Sequence, residues 1–208
     1  RPNQFAGIVT ETPTNPLIQS MDLERIRELA TKHGVCLILD PTINSPANVD
    51  ISPYADIIVN SLTKYASSEG DVIMGAVCTT QQCPERDAIT QRIRAIVEPP
   101  YARNLQRLAE QIDRYLPLIE SINTSTIQVV EYLKSHPKVT KVYWSKEARS
   151  KANYERIART PESIGGMISF VLNTDLATFY DRLLLAKGPS FGMTQTLACP
   201  FMYLAHYD

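Results

Sequence analysis

The stretch Ala55-Asp56-Ile57-Ile58-Val59-Asn60-Ser61-Leu62-Thr63-Lys64-Tyr65 decides how this chain is read. Its apolar run has the length and β-branched content of a buried strand, and it stops abruptly in polar groups. One amine and two hydroxyls are thereby delivered together at a strand's carboxyl end. Two earlier segments repeat the form: Gly7-Ile8-Val9-Thr10 leads into Glu11-Thr12-Pro13-Thr14-Asn15-Pro16, and Val35-Cys36-Leu37-Ile38-Leu39 leads into Asp40. Strands arranged this way aim their polar groups at one common edge.

The segment between the first two strands is helical by its spacing. Leu23, Ile26, Leu29 and Ala30 fall on one face over residues 22–33, Asp22 can cap the start, and Gly34 follows Lys32 and His33 at the end. Strand, helix, strand in this order predicts a crossover in a parallel sheet. Ile57-Ile58-Val59 and Val72 to Cys78 are expected to continue that sheet as buried strands. Glu98-Pro99-Pro100 then breaks the pattern, and residues 101–116 and 118–134 read as long helices, with Pro117 forcing a kink or restart. Beyond His136-Pro137 the expected order is strand (139–144), helix (147–159), strand (167–172) and helix (175–187). The expected class is therefore α/β, a mostly parallel sheet followed by a smaller α/β unit.

Composition narrows the function classes. Over 208 residues the 21 basic and 22 acidic side chains nearly cancel, without a basic block or an aromatic-studded basic helix. Nucleic acid and anionic membrane surfaces are not the expected partners; a small, weakly charged substrate is. No apolar run reaches the roughly 18 residues of a membrane span. The first residues carry no signal-peptide pattern, so a cytoplasmic protein is the expectation. Cys36, Cys78, Cys83 and Cys199 are scattered without a CxxC pair, which signals neither a disulfide framework nor a metal site. The sequon Asn123-Thr124-Ser125 is expected to be a chance match.

In an open parallel sheet, ligands bind outside the carboxyl ends of the strands, where loops converge and helix N-termini face the cavity. There a lysine amine can condense with an aldehyde, Ser61 and Thr63 can bind phosphate oxygens, and Asp40 can keep a pyridine nitrogen protonated. Those are the needs of pyridoxal phosphate, whose ring draws electrons only while that nitrogen holds its proton. Taken singly, each residue has a plainer role: Lys64 as a solvated loop lysine, Asp40 as a turn cap beside Pro41, Ser61 and Thr63 as caps of the following turn.

Taken together, Glu11-Thr12-Pro13-Thr14-Asn15-Pro16, Asp40-Pro41-Thr42 and Ser61-Leu62-Thr63-Lys64-Tyr65, with Gly70-Asp71 beyond, resemble the Cys/Met metabolism (trans-sulfuration) family of pyridoxal-phosphate enzymes. Leu133-Lys134-Ser135-His136-Pro137-Lys138-Val139 and Gly165-Gly166-Met167-Ile168-Ser169-Phe170 extend the resemblance along the chain. It implies the type I, aspartate aminotransferase-like fold. Residues 1–100 would be the C-terminal half of the large cofactor domain, 101–136 connecting helices, and 137–208 part of the small C-terminal domain.

By position, the resemblance makes Lys64 the catalytic lysine that holds the cofactor and later shuttles protons. Asp40 becomes the partner of the pyridine nitrogen, Ser61 and Thr63 phosphate ligands, Asn15 the neighbour of the phenolic oxygen, and Thr42 a residue beside the ring. Ser190-Phe191-Gly192-Met193-Thr194-Gln195-Thr196-Leu197 is similar to the family's Ser-Leu-Gly-Gly-x-Glu-Ser-Leu segment, placing Ser190 near the substrate carboxylate. Phe191 and Gln195 depart from that pattern. A packing role for Ser190 and Phe191 stands as the alternative.

The implied activity is β/γ-elimination or γ-replacement on a sulfur amino acid or activated homoserine ester, of the cystathionine γ-synthase, cystathionine lyase or methionine γ-lyase kind. An aminotransferase of the same fold, or a catalytically inactive scaffold, is the alternative. A small amino-acid substrate and a homo-oligomer, a dimer of dimers, follow from the resemblance. The family's glycine-containing phosphate loop, its ring-stacking tyrosine and its carboxylate-gripping arginine have no counterpart here, while His206 falls near a threonine-histidine pair of the family. The chain is thus expected to be part of a longer polypeptide and to need a complementary N-terminal segment.

Overall fold

The computed structural model describes residues 5–205; His206 lies outside the described residues. Strands β1 (Gly7–Glu11), β2 (Cys36–Asp40), β3 (Ile57–Ser61) and β4 (Gly75–Thr79) form one sheet in that order. β1 pairs with β2 and β2 with β3 in parallel, as the strand, helix, strand order predicts. Helix α1 (Leu23–His33) makes the first crossover. It starts at Asp22, whose carboxylate accepts the Arg25 N–H at 3.0 Å, and ends at Gly34, whose φ of 61° is the left-handed turn that glycine adopts without a Cβ clash.

β4 corrects the sequence expectation. It runs antiparallel to β3, with Ser61 opposite Gly75 and Ile57 opposite Thr79, and much of it is exposed at the sheet's rim. Residues 72–74 are not strand at all; Val72 is buried, whereas Ile73 is 83% exposed. The connection folds back at the same edge, where the Leu62 and Thr63 N–H groups both donate to the Met74 carbonyl, so β4 re-enters the sheet beside Ser61 and can only run antiparallel to β3. On the other rim, Val9 of β1 is 71% exposed.

The core lies on the face covered by α1. Leu37 and Leu39 alternate inward from β2 and meet Leu23 and Ala30 of α1, with Val49, Ile51 and Ala55 from the β2–β3 connection. Burying one such leucine contributes roughly 1.5–3 kcal/mol. Asp56 ties the assembly: its carboxylate accepts the Leu37 N–H at 2.7 Å and pairs with Arg27 of α1 at 2.9 Å, in a place where Asp56 is almost fully buried. Helix α5 (Lys151–Ile157) also enters this core through Tyr154 and Ile157.

Helix α2 (Arg86–Ile96) follows β4 and was not anticipated, although Ile89, Ile93 and Ile96 recur at helical spacing; none of its residues is buried. The long helical region is α3 (Ala102–Gln111), a 3-10 turn (Ile112–Arg114) and α4 (Tyr115–Ser135). The break expected at Pro117 falls just upstream instead. Pro117 is in the first turn of α4, where an N–H has no intrahelical partner to lose. Beyond α4, β5 (Val139–Tyr143) and β6 (Ser169–Leu172) pair antiparallel, and α6 (Leu176–Arg182), β7 (Ala186–Lys187), β8 (Leu197–Ala198) and α7 (Phe201–Ala205) complete the described chain.

Asn123 of α4 is buried at the junction with these later segments. It exchanges amide hydrogen bonds with Asn48, at 2.8 and 3.2 Å, and its Oδ1 also accepts the N–H groups of Ile164 and Gly165. The sequon is therefore a packing site, as its reading as a chance match requires. Among the described residues no helix is long and apolar enough to cross a membrane, no metal-binding cluster occurs, and Cys36, Cys78, Cys83 and Cys199 are free thiols.

Candidate active site

Register places the polar clusters at one edge. Glu11 pairs with Asp40 at the carboxyl ends of β1 and β2, and the Thr12 N–H donates to the Asp40 carbonyl at 2.9 Å, extending the ladder one residue further. Asp40 then turns its side chain to its own loop. Its Oδ1 accepts the Thr42 N–H at 2.8 Å and the Thr42 hydroxyl. Among the described residues its Oδ2 takes no hydrogen bond, so one carboxylate oxygen is fixed and the other is left to accept.

Thr42 is buried and carries the link to the next strand, since its hydroxyl accepts the Ser61 N–H at 2.9 Å. The Ser61 hydroxyl has no partner among the described residues. Thr63 is turned the other way: its hydroxyl accepts the Met74 N–H at 3.1 Å and lies 3.3 Å from the Met74 carbonyl, which braces the loop to the approach of β4. To reach a phosphate, Thr63 has to redirect its proton from that carbonyl, which its rotor allows.

Lys64 is half-buried in the loop after β3. Its Nζ donates to the Ser190 hydroxyl at 3.0 Å and lies 4.9 Å from the centroid of the Phe191 ring. Burial pushes its amine below the ordinary lysine range, because desolvation penalises the ammonium form. Tyr65, behind it, is fully buried; its hydroxyl donates to the Ile43 carbonyl at 2.9 Å and accepts the Gly166 N–H at 3.2 Å. Burial raises the pKa of that phenol, which stays a neutral structural pin.

Asn15 sits in an exposed turn, its N–H bonded to Glu11 Oε1 at 2.7 Å. No hydrogen bond joins its side chain to the other site residues among those described. The structure thus brings together Asp40, Thr42 and Ser61 as one linked group and Lys64 with Ser190 as another, three residues beyond Ser61. Phe191, Tyr65 and Gly192 complete the second group. Phe191 was legible only as a departure from a family pattern, and no periodicity signals a ring laid on an amine. An open cleft of about 630 Å³ between β4 and α2, lined by Thr79, Thr90 and Arg94 among others, lies toward the opposite end of β3, since Thr79 pairs with Ile57.

A half-buried amine with depressed basicity, a carboxylate oxygen left to accept and an unpartnered hydroxyl suit a cofactor bearing an aldehyde, a basic ring nitrogen and a phosphate. Similarity to known proteins agrees. A family model described as Cys/Met metabolism PLP-dependent enzyme matches residues 3–207. The L-2-amino-4-chloropent-4-enoate dechlorinase/desaturase of Streptantibioticus cattleyicolor is 38% identical over the whole of this chain and 41% of its own length. The cystathionine gamma-synthase of Neurospora crassa is 34% identical over 99% of this chain and 34% of its own. Among solved structures, cystathionine gamma-lyase from Lactobacillus plantarum, complexed with L-serine, superposes with a TM-score of 0.86 at 26% identity, over 97% of this chain and 53% of that one. The chain spans well under half the length of these curated relatives.

Proposed function

The chain belongs to the Cys/Met metabolism family of PLP-dependent enzymes, with their type I fold, and from that premise we propose that it forms part of an enzyme for elimination or replacement at the β or γ carbon of an amino acid. The substrates are sulfur amino acids or activated homoserine esters. The observation that carries this reading is the Lys64 amine, half-buried and held 3.0 Å from the Ser190 hydroxyl at the edge where Asp40 and Ser61 also end.

Bound pyridoxal phosphate supplies an electron sink that acidifies the substrate's Cα–H. The chain's own residues do the rest. Lys64, its amine neutral more often than a solvated lysine's, takes the proton from Cα and, for γ chemistry, a second proton from Cβ. Ser190 holds that amine between transfers and, by the resemblance, lies near the substrate carboxylate. Asp40 offers its Oδ2 to the ring nitrogen while Thr42 fixes its Oδ1. Ser61 and Thr63 offer hydroxyls to the phosphate, and the turn bearing Asn15 approaches from β1.

A halide is a second leaving group that fits. The name of the Streptantibioticus relative puts chlorine on carbon 4, which is the γ carbon of an α-amino acid, and loss of chloride there needs the same proton transfers as loss of a thiol. A cytoplasmic location and a dimer of dimers belong to the same proposal, the latter resting on membership of the family.

The test is borohydride fixation. The full-length enzyme incubated with pyridoxal phosphate and reduced carries its stable label on the Lys64 peptide; a label on another lysine, or none, overturns the reading. Product analysis then separates the chemistries: keto acid with ammonia for elimination, keto acid with an aminated co-substrate for an aminotransferase.

A further inference from the structure

The segment from Ser190 to Thr194 is strapped across the Lys64 loop by contacts along its length. Ser190 accepts from Lys64, the Phe191 ring lies beneath the Lys64 Nζ, and the Thr194 N–H donates to the Ser68 carbonyl at 2.9 Å. Between these points Gly192 has a φ of 75°, and a Cβ there would lie 2.7 Å from the Tyr65 backbone nitrogen. The strap therefore touches the backbone itself. Met193 lies over Gly70 at the far end.

Within this strap, Phe191 is held in orientation. Its ring meets Tyr65 edge to face, with centroids 5.9 Å apart and planes at 63°, and Tyr65 is itself pinned by two hydrogen bonds. The Lys64 Nζ lies over the ring, 4.9 Å from its centroid. An aromatic face attracts a cation through its quadrupole, which an aliphatic side chain of similar size lacks. The other group against the amine is the Ser190 hydroxyl, and no carboxylate or second cation of β2, β3 or the strap contributes to the depressed pKa of Lys64, which burial alone causes.

We propose that Phe191 is a positioning residue for Lys64: its ring, locked by Tyr65, holds the amine beside Ser190 and keeps it from swinging into solvent. The functional meaning rests on the reading of Lys64 as the cofactor-holding amine; the contact itself does not. Ring and aliphatic side chain desolvate the amine alike, so exchanging them isolates the quadrupole. A leucine at this position leaves Lys64 dry but without attraction for its charged form.

The experiment follows the acylation of Lys64 by acetic anhydride in the full chain, without cofactor, from neutral to alkaline pH, read on the Lys64 peptide by mass spectrometry. Phe191→Leu is expected to lower the apparent pKa of Lys64 by about half a unit and to raise the rate reached at alkaline pH. Phe191→Tyr and Phe191→Trp are expected to restore both. An unchanged or raised pKa in Phe191→Leu, or aromatic variants that behave like leucine, overturns the proposal in favour of packing alone. Borohydride fixation of pyridoxal phosphate, run in parallel on the same variants of the full-length enzyme, tests the cofactor reading independently: absence of label at Lys64 in the unmodified enzyme removes that reading and leaves the acylation result standing.

Discussion

Thr42 and Ser61 are joined across neighbouring strands by one hydroxyl, which accepts the Ser61 N–H at 2.9 Å while it donates to the Asp40 carboxylate. The carboxylate proposed for a ring nitrogen and the residue proposed for a phosphate are thus set relative to each other by a third side chain. Neither can shift alone.

Thr42→Val keeps the shape and removes that link. The Ser61 N–H loses its acceptor, and stability is expected to fall by about 1–3 kcal/mol, read from urea unfolding. Thr42→Ser is expected to recover most of the loss. In spectroscopic titration, pyridoxal phosphate binds the valine variant more weakly than the serine variant; equal affinities rule out the positioning role.

Ser190→Ala removes the only hydrogen-bond partner of the Lys64 amine among the described residues. Under the proposed function, kcat/KM falls by about tenfold or more, the weight of one hydrogen bond to a charged group. Borohydride labelling of Lys64 persists in this variant. A loss of label instead assigns Ser190 to holding the cofactor rather than to steadying the amine.

Lys64→Met tests the desolvated charge. The unfolded lysine has its ordinary pKa and the folded one a lower value, so between the two values the unfolded state binds more protons and stability rises with pH. Below that window both states are charged and the full cost of burying the ammonium is present. Lys64→Met is therefore expected to raise the urea midpoint at neutral pH, with the gain shrinking as pH nears lysine's ordinary value of about 10.4. A methionine variant that is less stable at neutral pH contradicts this.

Gly192→Ala and Gly70→Ala form a matched pair. Both glycines have positive φ, 75° and 71°, so each alanine carries the strain of about 1–2 kcal/mol for a left-handed residue. They differ in what the new methyl meets: backbone at Gly192, the mobile end of Met193 at Gly70. Melting curves are expected to show the larger loss for Gly192→Ala, together with faster acylation of Lys64. Equal losses mean that the strap gives way as easily as a methionine tip.

Asn123→Leu strips acceptor and donor from a buried amide pair and from the Ile164 and Gly165 N–H groups. With each orphaned buried group costing about 1–3 kcal/mol, the variant is expected to lose at least about 3 kcal/mol or to fail to fold. Chemical denaturation measures it.

Much of this was legible in the chain itself. Asp22, the spacing of Leu23, Ile26 and Ala30, and Gly34 mark α1 because capping and periodicity are local, and apolar runs ending in polar groups mark β1, β2 and β3 for the same reason. The direction of β4 was not, because it is settled by pairing with Val59 and Ser61 rather than by the content of residues 72–78. Pro117 misled on the helix break, since its effect depends on which turn of a helix it occupies. The entry of α5 into the core that holds Leu37 and Leu39 is tertiary, and nothing in residues 151–157 names that partner. For the site, the resemblance picked out Lys64, Asp40 and Ser190 separately. Only the fold joins Lys64 to Ser190 and Phe191, or turns the Thr63 hydroxyl toward Met74.

Ser190 lies 126 positions downstream of the lysine it touches. During synthesis the ribosome therefore releases Lys64 long before the strap that shelters it exists, and for that interval the amine is an ordinary solvated one. Its shelter is therefore acquired late, once the intervening residues have been made and folded back onto the Lys64 loop.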